Sequence, residues 1–305
     1  MPVPRAILAA ALACFLVPHD AAAKANNRVV FAAWNVRNYM LRPVKNDEGR
    51  TITPAKSPES LAAVVSTLQK IRPDIIGLCE IGTRSDLADL QKRLRQAGIN
   101  LPHKTWVDGP DRERHLALLS RFPLRVQHDT RTTFRIDGIS QRVRRGILDV
   151  TAQVRPDFPM RILGVHLKSN RVVPEYDQAA FRRTESLILR GHVEQILGNE
   201  PDTPLLVFGD FNDTKNSPVV KGVAGRAGTP QSLAILPLAD RLGDQWTYRW
   251  DESDEYSRID YVMVSQPLRR LVLRGGTRLH RDKNWFEASD HRPMIVTLRL
   301  PLPTL

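Results

Sequence analysis

The segment Leu205-Leu206-Val207-Phe208-Gly209-Asp210-Phe211-Asn212-Asp213 drives an apolar run into a cluster of oxygen donors. The same pattern recurs along the chain. Val29 to Trp34 leads to Asn35, and Ile75 to Cys79 leads to Glu80. Arg161 to Val165 leads to His166 and, just beyond, Lys168. Asp260 opens the run Tyr261 to Val264, and Asp290-His291 precedes Met294 to Leu298. Polar residues are ordinary where strands meet loops. Six such ends carrying Asn, Glu, His, Asp-Asn, Asp and Asp-His are a pattern of another kind. Strands of opposite direction in a mixed sheet can bring all of them to one rim. Four carboxylates gathered there either take up protons or bind a cation. Hard oxygen ligands with room for water suit Mg²⁺, with Mn²⁺ as the alternative. Zinc would ask for more His or Cys. His291 is a candidate general base, since imidazole titrates near neutrality.

The elements that must position these groups can be read from the hydrophobic pattern. Several apolar runs have no polar alternation, which fits strands covered on both faces. Ser57-Pro58 reads as an N-cap followed by proline at the first helical position. Leu61, Val64, Val65 and Leu68 then form a helical stripe, as do Leu87, Leu90 and Leu94 up to Gly98. Phe181 to Leu197 reads as a third helix, and strands predominate past Pro201. Tyr39 to Lys56 and Lys215 to Gln231 read as surface loops. Phe211 is expected to turn into the core. Asp210 and Asn212, two apart on an extended chain, are expected on the opposite side. Many strands covered by a few helices make a layered α/β sandwich.

The chain has 305 residues, is 42% hydrophobic and 26% charged, and carries a formal net charge of +12. That supports a sizeable core and excludes disorder. Arg5, the apolar stretch Ala6 to Val17 and Ala21-Ala22-Ala23-Lys24-Ala25 read as a signal peptide over residues 1–25, too short to span a bilayer. Export to the periplasm or the medium is therefore expected, with the functional domain over residues 26–305. Removing residues 1–25 leaves 43 basic against 32 acidic residues, still net +11. Such a charge attracts polyanions, and equally keeps a soluble protein dispersed. Cys79 alone remains, inside an apolar run, so no internal disulfide is expected and the thiol reads as buried and inert.

Six motifs together resemble the endonuclease/exonuclease/phosphatase superfamily, with its DNase I-like fold. They are Trp34-Asn35-Val36-Arg37-Asn38, the Glu80 strand end, Val165-His166-Leu167-Lys168-Ser169, Gly209-Asp210-Phe211-Asn212-Asp213, Ser257-Arg258-Ile259-Asp260-Tyr261 and Ser289-Asp290-His291-Arg292-Pro293. Their order is the family's. The resemblance implies a four-layered αββα sandwich, two packed mixed sheets flanked by helices, and metal-dependent hydrolysis of phosphoesters. It implies that Glu80 holds the cation, with Asn35 close by and Asp290 near the metal or leaving group. A structural hydrogen bond is the competing role for Asn35. It further implies that Asp260 orients His291, that Asp210 prepares the attacking water, that Asn212 bonds a phosphate oxygen, and that His166 contacts the phosphate. A His at 166 matches nuclease and sphingomyelinase branches rather than abasic-site enzymes. Arg145, with Arg144 nearly equivalent, and Lys168 are candidate phosphate clamps or solvated edge charges. Asp213 reads as a turn residue.

The basic mature chain favours nucleic acid as the phosphoester substrate, so an exported phosphodiesterase or endonuclease, acting by in-line attack of an activated water, is expected. A sphingomyelinase-like lipid phosphodiesterase and a sugar or inositol phosphatase are the alternatives. No exposed aromatic hairpin suited to a membrane is evident in the sequence. A non-catalytic polyanion binder would be expected to lack one of Glu80, Asp210, Asp260 or His291, and none is missing. A monomer without a stable membrane span or a partner protein is expected.

Overall fold

A computed structural model of the chain describes residues 27–128, 132–136, 138–171 and 176–302. The proposed leader, residues 1–25, lies outside them. In chain order the elements begin with β1 (Arg28–Tyr39), β2 (Val44–Lys45), β3 (Thr51–Thr53), α1 (Pro58–Ile71), β4 (Ile75–Ile81), α2 (Arg84–Gln96), β5 (His103–Trp106) and β6 (His115–Ser120). Then come β7 (Leu124–Val126), β8 (Thr133–Ile136), β9 (Ile139–Arg142), β10 (Leu148–Arg155), β11 (Phe158–His166), α3 (Gln178–Asn199), β12 (Leu205–Asp210) and α4 (Pro218–Ala224). The chain continues through β13 (Ala234–Ile235), β14 (Tyr248–Trp250), β15 (Glu255–Ser257), β16 (Asp260–Val264), α5 (Gln266–Arg269), β17 (Arg278–Leu279), α6 (Trp285–Ala288) and β18 (Met294–Arg299).

Two six-stranded mixed sheets form the middle layers, in the orders β17-β18-β1-β4-β6-β5 and β13-β16-β12-β11-β10-β7. Period-two alternation sorts each strand between two cores. Phe31, Ala33, Ile75, Leu118, Ile162, Phe208, Val262 and Val296 pack between the sheets. Ala32, Trp34, Ile76 and Leu78 face outward against Leu61, Val64 and Leu68 of α1 and Leu87, Leu90 and Leu94 of α2. Leu163, Val165, Leu205 and Val207 face outward against Leu189, Val193 and Leu197 of α3 and Val220 of α4. The result is the four-layered αββα sandwich, and β1, β4, β11 and β12 are buried on both faces, as their unbroken apolar runs require.

Helix ends follow their sequence signals. Ser57 caps α1 by accepting from Ser60 N–H, with proline next. Thr83 and Asp86 close a reciprocal capping box on α2. Three expectations need correction. Asn35 does not end its strand, because β1 runs on to Tyr39 through a bulge. Tyr39 to Lys56 contains the β2–β3 hairpin, and Lys215 to Gln231 contains α4, capped by Ser217. Both elements are too short to show a hydrophobic period. Cys79 is buried, its thiol pushed up by burial and then by the Asp210 charge, as an inert thiol should be.

Phe208 locks the two sheets together. Its ring lies edge-on to Phe31, with centroids 5.5 Å apart. A Cβ on Gly77 or Gly164 would sit 2.2 or 2.6 Å from that ring, so both strands must carry glycine there. Backbone on either side cannot collapse into the space the ring fills. Phe208→Ala is expected to lose about 3–5 kcal/mol of stability, toward the upper end, read from the urea unfolding midpoint. A loss below about 1 kcal/mol would show that the sheets repack freely.

Candidate active site

Chain direction brings the polar strand ends to one rim. β1 and β4 are parallel, and so are β11 and β12, so their C-terminal ends point the same way. β18 and β16 run antiparallel to β1 and β12, so they start at that rim. The six ends are shared three and three between the sheets rather than lying on one. β1 packs over β12, β4 over β12 and β11, and β6 over β11 and β10. Parity does the rest. His166, Asp210 and Asp260 continue the inward-facing positions of β11, β12 and β16, so their side chains enter the gap between the sheets.

Glu80 reaches the gap differently. Cys79 faces the inter-sheet core and Ile81 the outer helices, so the alternation slips by one at Glu80. Its φ is +64°, with Arg37 at +44° and Asn38 at +51° on the neighbouring strand. Paired bulges of this kind strain the backbone and re-aim side chains at functional sites. The Asn38 N–H donates to Glu80 Oε2 at 3.0 Å and fixes the carboxylate. The Asn35 amide nitrogen donates to Glu80 Oε1 at 3.2 Å and to Asp210 Oδ2 at 3.1 Å. Asn35 Oδ1 accepts from Arg37 N–H at 3.1 Å. Both readings of Asn35 therefore have substance: it stands between the two carboxylates, and it braces the bulge.

His291 Nδ1 is 2.8 Å from Asp260 Oδ2, both buried. Its Nε2 faces Asp210 Oδ2 at 3.8 Å and Asp290 Oδ1 at 4.0 Å. Trp34 Nε1–H donates to His291 O, and His291 N–H donates to the Ser289 hydroxyl, so the backbone that carries the ring is held on both sides. Burial opposes protonation of His291, but the Asp260, Asp210 and Asp290 charges outweigh it and push its pKa up to about 10. Burial and then the Asp260 charge raise the Asp210 pKa. Both shifts express one fact: too much negative charge for a dry pocket. Asp210, Asp260 and His291 place ligand atoms within 4.8 Å of one another. This compact group differs from the expected metal set of Glu80, Asn35 and Asp290, and one of its contacts is the Asp260–His291 hydrogen bond itself.

His166 Nε2 lies 3.6 Å from Asp210 Oδ2 and 3.9 Å from Glu80 Oε1. Burial and then the Arg145 charge hold its pKa well below the usual range, so it is a neutral ring. Arg145 is buried and pairs with Asp111 at 2.8 Å, and Lys168 is buried too, which excludes the solvated-edge reading of both. Asn212 departs from the expected alternation. β12 ends at Asp210, whose Oδ1 accepts from Asn212 N–H at 2.9 Å, and Asn212 turns to φ +50°. Its side-chain amide donates to Leu167 O at 2.9 Å, which leaves its second amide hydrogen for another acceptor. Asp213 pairs with Arg182 and accepts from Thr214 N–H, a turn role as expected.

Sequence reasoning missed three supports. Glu185 of α3, fully buried, accepts from Arg144 N–H at 2.8 Å and Lys168 N–H at 2.7 Å, while Arg182 donates to Lys168 O. One helix thus holds both basic segments. Its signal was available, since Glu185 sits on the apolar stripe Phe181, Leu189, Val193 and Leu197. Arg114 Nε approaches Glu80 Oε2 at 3.8 Å. Tyr248 packs on His291 with ring centroids 4.7 Å apart, on a hairpin whose Trp250 is 47% and Tyr256 50% exposed. An exposed aromatic hairpin does exist, contrary to the expectation from sequence. Its strands are three residues each and carry no alternation long enough to read.

The Endonuclease/Exonuclease/phosphatase family pattern matches residues 32–291, and the chain belongs to that family. No curated protein matches the sequence significantly. The truncated TDP2 of Caenorhabditis elegans is 18% identical over 89% of this chain and 98% of its own, with a TM-score of 0.60. The human Nocturnin catalytic domain with bound sulfate is 16% identical over 89% and 94%, TM-score 0.60. An endonuclease/exonuclease/phosphatase protein from Bacteroides vulgatus is 15% identical over 90% and 99%, TM-score 0.58. At these identities the structures share the DNase I-like fold with this chain. Its family makes it a phosphoester hydrolase, and such enzymes generally use divalent metals.

The donor set fits such an ion. Glu80 and Asp210 carboxylates lie on either side of one Asn35 amide, and like charges held this close raise each other's energy. Glu80→Gln removes one of them while keeping an acceptor for Asn38. Metal-free Glu80→Gln protein is expected to be at least as stable as the parent in thermal unfolding with EDTA. A loss above about 2 kcal/mol would mark Glu80 as a structural anchor instead.

Proposed function

We propose that the chain is an exported, divalent-metal-dependent phosphodiesterase acting on nucleic acid, with a leader over residues 1–25 and the catalytic domain over 26–305. One observation carries the hydrolase reading: Asp210 stands within 4 Å of Asn35, His166 and the His291 ring that Asp260 orients. Glu80, with Asn35 and Asp290 near, would hold the cation, Mg²⁺ or Mn²⁺, which when bound polarises a phosphate oxygen.

The remaining work falls to side chains. The carboxylates that raise the His291 pKa would be offset by a bound cation; in the neutral ring Asp260 then fixes the one proton on Nδ1, which leaves Nε2 to face a water. Asp210 Oδ2 aligns that water, and His291 Nε2 takes its proton as the oxygen attacks phosphorus in line. The free amide hydrogen of Asn212 and the neutral His166 ring meet the developing charge on the non-bridging oxygens. Arg114, Arg145 and Lys168 supply a fixed positive field around His166. A strongly positive chain supports the choice of a polyanionic substrate over a small neutral one.

A lipid phosphodiesterase is the second reading, favoured by the exposed Trp250. Against it stand Asp251, Glu252, Asp254 and Glu255 at the same hairpin tip, which anionic lipid would repel. EDTA is expected to abolish hydrolysis of oligonucleotides and of bis(p-nitrophenyl) phosphate, with Mg²⁺ or Mn²⁺ restoring it. Asp260→Asn is expected to lower kcat roughly 10²–10⁴-fold with little change in KM. Full activity in EDTA, or an unimpaired Asp260→Asn protein, contradicts this function, and turnover of sphingomyelin alone moves it to the second reading.

A further inference from the structure

The two ends of the catalytic rim differ in what they carry. Along one sheet the order is Asp260 (β16), Asp210 (β12), His166 (β11) and Arg145, just before β10. Along the facing sheet it is His291 (before β18), Asn35 (β1), Glu80 (β4) and Arg114, just before β6. Arg145, paired with Asp111, and Arg114, paired with Glu113, share one end, while Arg37 of β1 stands toward the other beside Asp290. Beyond Arg145 that end continues into the β8–β9 hairpin, where Arg135 and Arg142 are exposed.

The other end is unlike it. The β14–β15 hairpin is tied to the catalytic dyad, through the Tyr248–His291 bridge and through the Thr247 hydroxyl, which accepts from Asp260 N–H. Tyr248 and Trp250 stand two positions apart on β14, so both rings lie on the face that carries His291. Arg249, between them, turns to the other face, where its guanidinium and that of Arg37 lie over Phe286. At the tip one Arg, Arg249, faces four exposed carboxylates, Asp251, Glu252, Asp254 and Glu255, so the hairpin is net −3 on a chain of +12. Arg249 is already engaged by Asp251 and Asp254 at 3.1 Å each.

A nucleic-acid strand running through such a rim could leave past Arg145 and Arg114 but not cross the acidic tip, because each further phosphate would meet the hairpin's net negative charge. The aromatic rings beside His291 offer what an uncharged terminal unit needs, a face on which a base can stack. We infer that the protein acts on strand ends: the scissile phosphate is the outermost one, the terminal nucleoside rests on Tyr248 and Trp250, and the remaining polyanion runs toward Arg145 and Arg114. Water supplies the oxygen that stays on phosphorus, and the freed ester oxygen takes a proton. Each cycle releases one terminal unit and leaves a shortened strand. This rests on the nucleic-acid reading above and narrows it to end-directed, single-strand cleavage.

A short linear oligonucleotide and the same sequence ligated into a circle, each as DNA and RNA, test it, with bis(p-nitrophenyl) phosphate alongside. The linear strand is expected to shed mononucleotides or nucleosides from the first time points. The circle is expected to be cut at least roughly tenfold more slowly. Trp250→Ala is expected to raise KM for the linear strand roughly 5- to 100-fold, with kcat much less changed, as loss of one stacked base requires. A variant carrying Asp251→Asn, Glu252→Gln, Asp254→Asn and Glu255→Gln is expected to narrow the gap between circle and linear strand. Equal cutting of circle and linear strand, or a gap that the four-fold variant leaves unchanged, overturns the inference while ester hydrolysis upholds the phosphodiesterase. Ester hydrolysis without cleavage of any oligonucleotide overturns the nucleic-acid reading and the inference together.

Discussion

Negative charge crowded into a dry gap between two sheets is the constraint on which the site depends. Asp210 and Asp260 are buried, and the half-buried Glu80 and Asp290 close the same pocket. Carboxylates taken out of water cost several kcal/mol each unless compensated. The protein offers partial compensation: an amide from Asn35, backbone N–H groups from Asn38 and Asn212, and the imidazole of His291. The raised pKa values of His291 and Asp210 show how incomplete this is. A site left short of positive charge by its own side chains is the setting in which the proposed cation would be held, with an anionic phosphate beside it.

Much of this was legible in the sequence because strands have period two. Once Phe208 is placed inside, Asp210 must be inside as well, and the same parity puts His166 beside Ile162 and Asp260 beside Val262. Capping residues marked α1, and unbroken apolar runs marked strands covered on both faces. The motif order carried the layer arrangement. What stayed hidden breaks local rules or lies too far away in sequence. Glu80 violates parity through a left-handed residue that nothing in its neighbours demands. Asn212 looked like a continuation of β12 but belongs to a turn made by Asp210. The ion pair of Arg145 with Asp111 and the approach of Arg114 to Glu80 join segments whose proximity only the fold creates. Glu185 was the exception: a charge on an apolar helix stripe is a readable anomaly.

The supports divide the site into a rigid frame and a selective margin. The frame consists of strand ends locked by Phe208 between glycines, by the Ser289 hydroxyl bonded to Asn35 O, and by Glu185 gripping two loops. The margin consists of hairpins projecting from either end of the rim, basic beside Arg145 and aromatic with an acidic tip beside His291. A common hydrolytic frame with variable margins is how one fold serves many phosphoesters. In this chain the margins are charged oppositely, so a long polyanion is not welcomed equally from both directions.

The central claim is that Glu80 and the carboxylates around it form one cation pocket. Crystals soaked in Mn²⁺ and measured at the manganese absorption edge test it most directly. The account predicts an anomalous peak in contact with Glu80, at the rim shared by Asp210 and His291, and its loss in Glu80→Gln crystals. Manganese bound only elsewhere on the surface, with that rim empty, would contradict it.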